Sequence, residues 1–152
     1  MACRAPAGTA YRDDFYAWTQ EQVGRLRVGD ITGLDRANLA EEIESLGRTQ
    51  FASLVRALEN ILANMLTIDH RAGSQNRRKA IEIAMHRKHV SDELHDSPSL
   101  KNRLGDAVER AYRCARLEAA DTTGLALRHF PEACPYTYQD IMDRPFAIDP
   151  DS

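Results

Sequence analysis

The sequence predicts an all-α fold: a single-domain bundle of about five helices, closed by a short C-terminal segment rich in aromatic residues and proline. Three observations predict it. Apolar residues recur at three- and four-residue spacing through most of the chain. No segment alternates apolar and polar residues for long enough to argue a strand. Glycine, proline and capping residues punctuate the apolar stretches at intervals of one helix. At 152 residues one domain is expected. A chain of that size buries roughly two thirds of its unfolded surface and needs no covalent staples.

The first helix is predicted from about Arg12 to Val28. Tyr11, Phe15, Trp18 and Leu26 share a stripe that Gln22 interrupts. On that pattern Phe15 and Trp18 belong to the core, and Gly29 is placed to end the helix in the left-handed conformation. Thr32 and Asp35 have the form of a capping box. The second helix follows, with Leu39, Ile43 and Leu46 as its buried stripe. Gly47 then marks a break, kink or corner; the alternative is one helix running through it, at about 1 kcal/mol relative to Ala.

The third helix is the most apolar segment. Phe51, Leu54, Val55, Leu58, Ile61, Leu62, Met65 and Leu66 make it the central core helix. Arg71-Ala72-Gly73-Ser74 ends it. The fourth helix covers roughly Gln75 to Asp96, with a thinner stripe of Ile83, Val90 and Leu94. Ser97-Pro98 starts the fifth, serine capping and proline in the first turn. Its stripe runs Leu100, Leu104, Ala107, Val108, Ala111, Ala115, and the small residues predict close approach to a neighbour. Gly124 ends it. A second capping box, Thr137 with Asp140, predicts a short helix over about Tyr138–Met142. Residues 1–10 read as a flexible N-terminal arm, 11–143 as the helical domain and 144–152 as a surface tail. The aromatic C-terminal segment is expected to dock near the start of the first helix.

Several stretches together carry a resemblance. They are Tyr11 with D-F-Y-x-W at Asp14–Trp18, and L-A-E-E-I-E-S-L-G at Leu39–Gly47. D-S-P-S-L at Asp96–Leu100, T-G-L at Thr123–Leu125 and F-P-E-x-C-P-Y-T at Phe130–Thr137 follow. In this order, across nearly the whole chain, they resemble the bacterial domain of unknown function family 29. The resemblance implies a small helical protein and no assigned activity.

Composition narrows the function classes. The chain is 43% hydrophobic and 28% charged, as in a globular protein. No contiguous apolar run approaches the roughly 18–20 residues of a membrane span, and no membrane role is expected. The opening MACRAPAGTA has no long apolar core of a signal peptide. With Cys3, Cys114 and Cys134 odd in number and far apart, reduced thiols and a cytoplasmic location are expected.

The net charge of −3 hides a segregation. Residues 71–90 hold 6 basic and 1 acidic side chains between two acidic flanks. Arg71, Arg77, Arg78, Lys79, Arg87 and Lys88 form this basic island. Such residues neutralise phosphate, which makes nucleic acid one possible partner. Against that, the island has no aromatic stacking platform and no nucleic-acid-binding motif. A solvated or internally paired face is the plainer reading.

Two carboxylate arrangements bear on chemistry. Glu82, His86, His89 and Glu93 stand at i, i+4, i+7 and i+11, within a sector of roughly 60° on the fourth helix. That donor set suits a divalent metal, with help from another helix. The plainer reading pairs Glu82 with His86 and His89 with Glu93 in solvent. Glu42 lies about 70° from the centre of its helix's apolar stripe and is expected to be half-buried, its charge answered by an Arg or Lys of the basic island. Cys134 and His129 are close in sequence, though Cys134 reads as an apolar filler, and Cys114 reads as packing. No glycine-rich phosphate loop, G-x-S-x-G elbow or H-E-x-x-H is present.

Three functions fit these residues. The leading one is a non-catalytic interaction or regulatory module with a protein partner or self-association. Its surface would be the basic island or the acidic second helix. The alternatives are nucleic-acid binding through 71–88 and a metal-dependent activity on the Glu/His stripe. No cofactor is expected under the first.

Overall fold

The computed structural model describes residues 10–71, 73 and 76–148. The expected arm before Ala10, Cys3, Gln75 and the last four residues lie outside them. Five α-helices follow in order: α1 (Phe15–Val28), α2 (Arg36–His70), α3 (Asn76–Asp96), α4 (Leu104–Thr123) and α5 (Tyr138–Asp143). Two 3-10 turns, Pro98–Arg103 and Leu127–His129, flank α4. There is no strand among the described residues. The chain is all-α, as periodicity predicts.

It divides into two compact units, one ending at Arg48 and one beginning at Thr49. The first holds a helical hairpin of α1 and the opening turns of α2. Asp14 caps α1 by accepting from the Ala17 N–H at 2.9 Å, so the helix begins three residues later than predicted. Gly29 closes it at φ 77°, as predicted. The turn differs from the predicted Thr32 box. Asp30 organises it, accepting from the Gly33 N–H at 3.0 Å and from Thr32. Asp35 itself caps α2 through the Asn38 N–H.

α2 runs unbroken through Gly47, the alternative that sequence left open. A glycine that lacks any tertiary reason to turn stays helical when 34 other residues propagate the helix.

The second unit is the bundle. From Phe51 to Thr67, α2 buries ten residues. Ile83, Val90 and Leu94 of α3 pack on this stripe with Ala107, Ala111, Ala115 and Ala119 of α4. These alanines stand at four-residue spacing and are fully buried. An 18-residue stretch of α2 is apolar enough by length and composition to cross a bilayer, with mean hydropathy 1.2. Much of that stretch is buried inside the fold. Ser97 does not cap: its Oγ lies 2.6 Å from the Gln50 amide nitrogen, and Pro98 opens a 3-10 turn.

The C-terminal segment belongs to this bundle. Phe130 and Ile141 are fully buried in it, and Phe146 packs against it, so residues 144–148 are not a free tail. The segment docks on α2, α3 and α4. Its Thr137–Asp140 capping box starts α5, as predicted.

Candidate functional site

The hairpin leaves an apolar groove of about 310 Å³ between α1 and α2. Trp18 closes its floor, fully buried, stacked on Phe15 at 5.7 Å and met edge-on by Tyr11 at 4.9 Å. The polar atoms beneath the groove are answered. Trp18 Nε1–H donates to Asp35 at 3.2 Å, and Asn38 donates to the same carboxylate at 2.7 Å. Buried Gln22 accepts the Asp35 backbone N–H at 2.8 Å. The residue that seemed to interrupt the α1 stripe therefore ties α1 to the start of α2. The hydrogen bond from Asn38 holds the Asp35 carboxyl below the usual carboxylate range.

Glu42 is half-buried at the groove, as predicted, but its partner is not basic. The Tyr11 hydroxyl donates to it in a short hydrogen bond. That bond, with burial, raises the Tyr11 phenol above its ordinary value. Helix geometry places Glu42 half-inward but says nothing of a residue 31 positions earlier in the chain.

The walls contradict the predicted core. Phe15 is 50% exposed, Leu26 50%, Ile43 66% and Leu46 71%. Val23 is also exposed, at 37%. Periodicity found a real face, but among the described residues nothing in the hairpin covers it. No buried side-chain nitrogen or oxygen among the described residues lacks a hydrogen bond. The groove thus presents carbon over a satisfied polar floor.

The Glu/His stripe of α3 lies beside α2. Ser53 Oγ sits 3.0 Å from His89 Nε2 and donates to Glu93 at 2.9 Å. His89 Nε2 is also 3.4 Å from Glu93. Glu82 turns the other way, to Arg78 at 3.2 Å and Asn64 at 3.3 Å, rather than pairing with His86. Burial, then the nearby His89, push the His86 imidazole below its ordinary value. Among the described residues no group of three or more His, Cys, Asp or Glu is placed to hold a metal ion. Ser53, His89 and Glu93 also fail as a nucleophilic relay. A relay needs the base to bridge through two different nitrogens, whereas here one nitrogen meets both partners. All three sit in helix interiors, whose backbone N–H groups are already bonded and offer no oxyanion donors.

The basic island disperses around α3. At 100° per residue Arg77 and Lys88 share a side, while Arg78, Lys79 and Arg87 point elsewhere. Three of its arginines reach backbone carbonyls. Arg71 donates to the Thr123 carbonyl at 2.7 Å, Arg77 to that of Ile148 at 2.7 Å, and Arg87 to Ile141 at 2.7 Å. Arg78 and Lys88 pair with Glu82 and Asp92 one turn on. Burial pulls the Arg87 guanidinium below its ordinary value. These contacts strap the C-terminal segment to α3, a role that composition alone does not reveal.

Asp69 fixes the same segment. Tyr136 donates to it at 2.6 Å and Arg144 forks onto both oxygens. Burial works against the Asp69 charge, but these two partners outweigh it and hold the carboxyl below 3.8. Cys134 is half-buried with Sγ 3.6 Å from the Tyr136 carbonyl, and burial raises its thiol. His129 Nδ1 lies 3.1 Å from the Ala126 carbonyl. Cys114 is exposed rather than packed.

The match that decides kinship spans residues 10–147, from the base of the hairpin to the strapped segment. The chain belongs to the family described as Domain of unknown function DUF29. No curated protein and no solved structure matches it. The stretches that carry the resemblance fall into place structurally. D-F-Y-x-W supplies the α1 cap and groove floor, and L-A-E-E-I-E-S-L-G supplies the α2 wall. F-P-E-x-C-P-Y-T supplies Phe130 for the core and Tyr136 for Asp69.

Proposed function

We propose that this DUF29 protein is a non-catalytic interaction module whose recognition element is the apolar groove of its N-terminal hairpin. The observation that carries the reading is the exposed row of Phe15, Val23, Leu26, Ile43 and Leu46 over a fully hydrogen-bonded floor. Clustered, exposed apolar side chains on a small domain mark an interaction surface more often than they serve the fold. Two helices with a channel between them suit an amphipathic helix laid apolar face down. The other polar clusters offer less. The basic island is scattered and engaged with carbonyls and carboxylates, which weighs against a phosphate-tracking surface. The Ser53–His89–Glu93 group lacks the geometry of a relay.

A photo-reactive amino acid placed at Ile43 tests the proposal in native cells, with Met85, exposed on α3, as the matched control. Discrete protein adducts at Ile43 and not at Met85 are expected. Adducts equal at both positions, or none at Ile43, would overturn it.

A further inference from the structure

Resting on that reading of the groove, we infer that its occupant is a second copy of this chain, docked antiparallel along α2 with the two-fold axis at Ile43. Gly47 lies within a 35-residue helix, and a Cβ added there would meet nothing within 4 Å. Among the described residues nothing requires the missing side chain, and the same holds for Gly24. What sets Gly47 apart is its place beside the exposed Ile43 and Leu46 on α2, where the absent side chain leaves room for a neighbour from outside.

The surroundings of Gly47 specify that neighbour. Leu39, Ala40, Ile43, Leu46 and Gly47 share a sector of about 120° at 100° per residue. Two large and two small residues are spaced symmetrically about Ile43. An antiparallel two-fold through Ile43 lays Leu46 of one copy over Ala40 of the other, Leu39 over Gly47, and Ile43 on Ile43. An isologous interface has to be self-complementary in this way. A different partner would need only one half of the pattern. Charge sits at the ends of this seam: Arg36, one heptad before Ile43 on the same face, falls opposite Gln50 of the other copy. Glu42 is the sole charged side chain lining the groove and is held by the Tyr11 hydroxyl. Glu44 pairs with Arg48 away from the face.

The area fits an association of modest strength. The five exposed groove residues leave on the order of 500 Å² of apolar surface per copy, so pairing buries on the order of 1,000 Å², near the lower edge of specific interfaces. An interface at that edge is a weak, concentration-dependent one.

Sedimentation of the full chain from about 1 to about 200 µM reads the result, in the range set by an interface of this size. A monomer–dimer equilibrium is expected. Ile43→Glu and Gly47→Leu should each abolish it while leaving helical content unchanged, because both positions are open to solvent in the single chain. Register is read separately. In a background with Cys3, Cys114 and Cys134 replaced by Ala, Ile43→Cys should form an intermolecular disulfide with oxidised glutathione, and Arg36→Cys should not. A wild-type monomer up to the highest concentration overturns the inference, as does a dimer that survives both substitutions. A monomer whose Ile43 still crosslinks another protein in cells overturns self-pairing and leaves the groove reading standing.

Discussion

The hairpin of residues 10–48 and the bundle that begins at Thr49 share one helix and one kind of sequence pattern, yet they use it oppositely. Leu39, Ile43 and Leu46 repeat at the same spacing as Leu54, Leu58, Ile61 and Met65. The second set is fully buried, while Ile43 and Leu46 are 66% and 71% exposed. The difference teaches what periodicity measures. It identifies a helix and its apolar face. Whether that face is covered depends on elements elsewhere in the chain, and the bundle has them: α3, α4 and Phe130 close over α2. The hairpin has only α1, whose buried residues are Trp18 and Gln22.

The largest effect that tests this contrast is on stability. Leu58→Ala removes a side chain with no exposed surface and should cost about 2–5 kcal/mol. Leu46→Ala, measured below the concentration at which copies pair, should change stability by no more than about 0.5 kcal/mol. Urea unfolding followed by circular dichroism at dilute protein compares them. Equal losses would mean that the hairpin row is covered within the single chain, and the contrast would fail.

Much of the fold was legible because its causes are local. Gly29, Gly124 and the Thr137–Asp140 box act within a turn of themselves, and each does what its residue type predicts. The apolar spacing of 51–66 was legible for the same reason. What was not legible depends on distant partners. Tyr11 meets Glu42 across 31 residues, Arg77 reaches the Ile148 carbonyl across 71, and Arg144 reaches Asp69 across 75. A run of arginines reads as a surface charge patch because charge is visible in a sequence and backbone carbonyls are not. Gln22 misled in the opposite direction. A polar residue on an apolar stripe looked like an interruption, but it is buried because the Asp35 N–H needs an acceptor. The groove itself follows from an absence of covering elements, which no local pattern records.

Acid should loosen both units, through different carboxylates. Asp35 in the hairpin and Asp69 in the bundle both titrate below the ordinary 3.8 when folded. A depressed folded-state value contributes stability above the unfolded value and loses it as pH falls through the folded one. Both contributions should therefore be complete above about pH 4 and fade below it. The single tryptophan separates the two events, since Trp18 donates to Asp35. Its fluorescence should report the hairpin, and Asp35→Asn should flatten that transition. Asp69→Asn should flatten instead the acid limb of far-UV dichroism, which the bundle dominates because it holds most of the helical residues. If Asp69→Asn moves the tryptophan signal equally, the two units open together and the contrast reduces to one of exposure alone.

The smallest expected effect discriminates most finely. Gly24 and Gly47 are both helix-interior glycines whose added Cβ would meet nothing within 4 Å. Replacing either by Ala should stabilise the dilute monomer by about 0.4–1 kcal/mol, since the unfolded chain loses freedom and no contact is strained. In the single chain the two substitutions are equivalent. They differ only if a second copy docks on α2, because Gly24 points away from the groove on α1 and Gly47 receives Leu39 of the partner copy. Pairing should then weaken in Gly47→Ala and stay unchanged in Gly24→Ala, with the same rise in melting temperature at dilute concentration. Matched melting and matched association in both variants would leave Gly47 without a role and would remove the main reason to place the two-fold axis at Ile43.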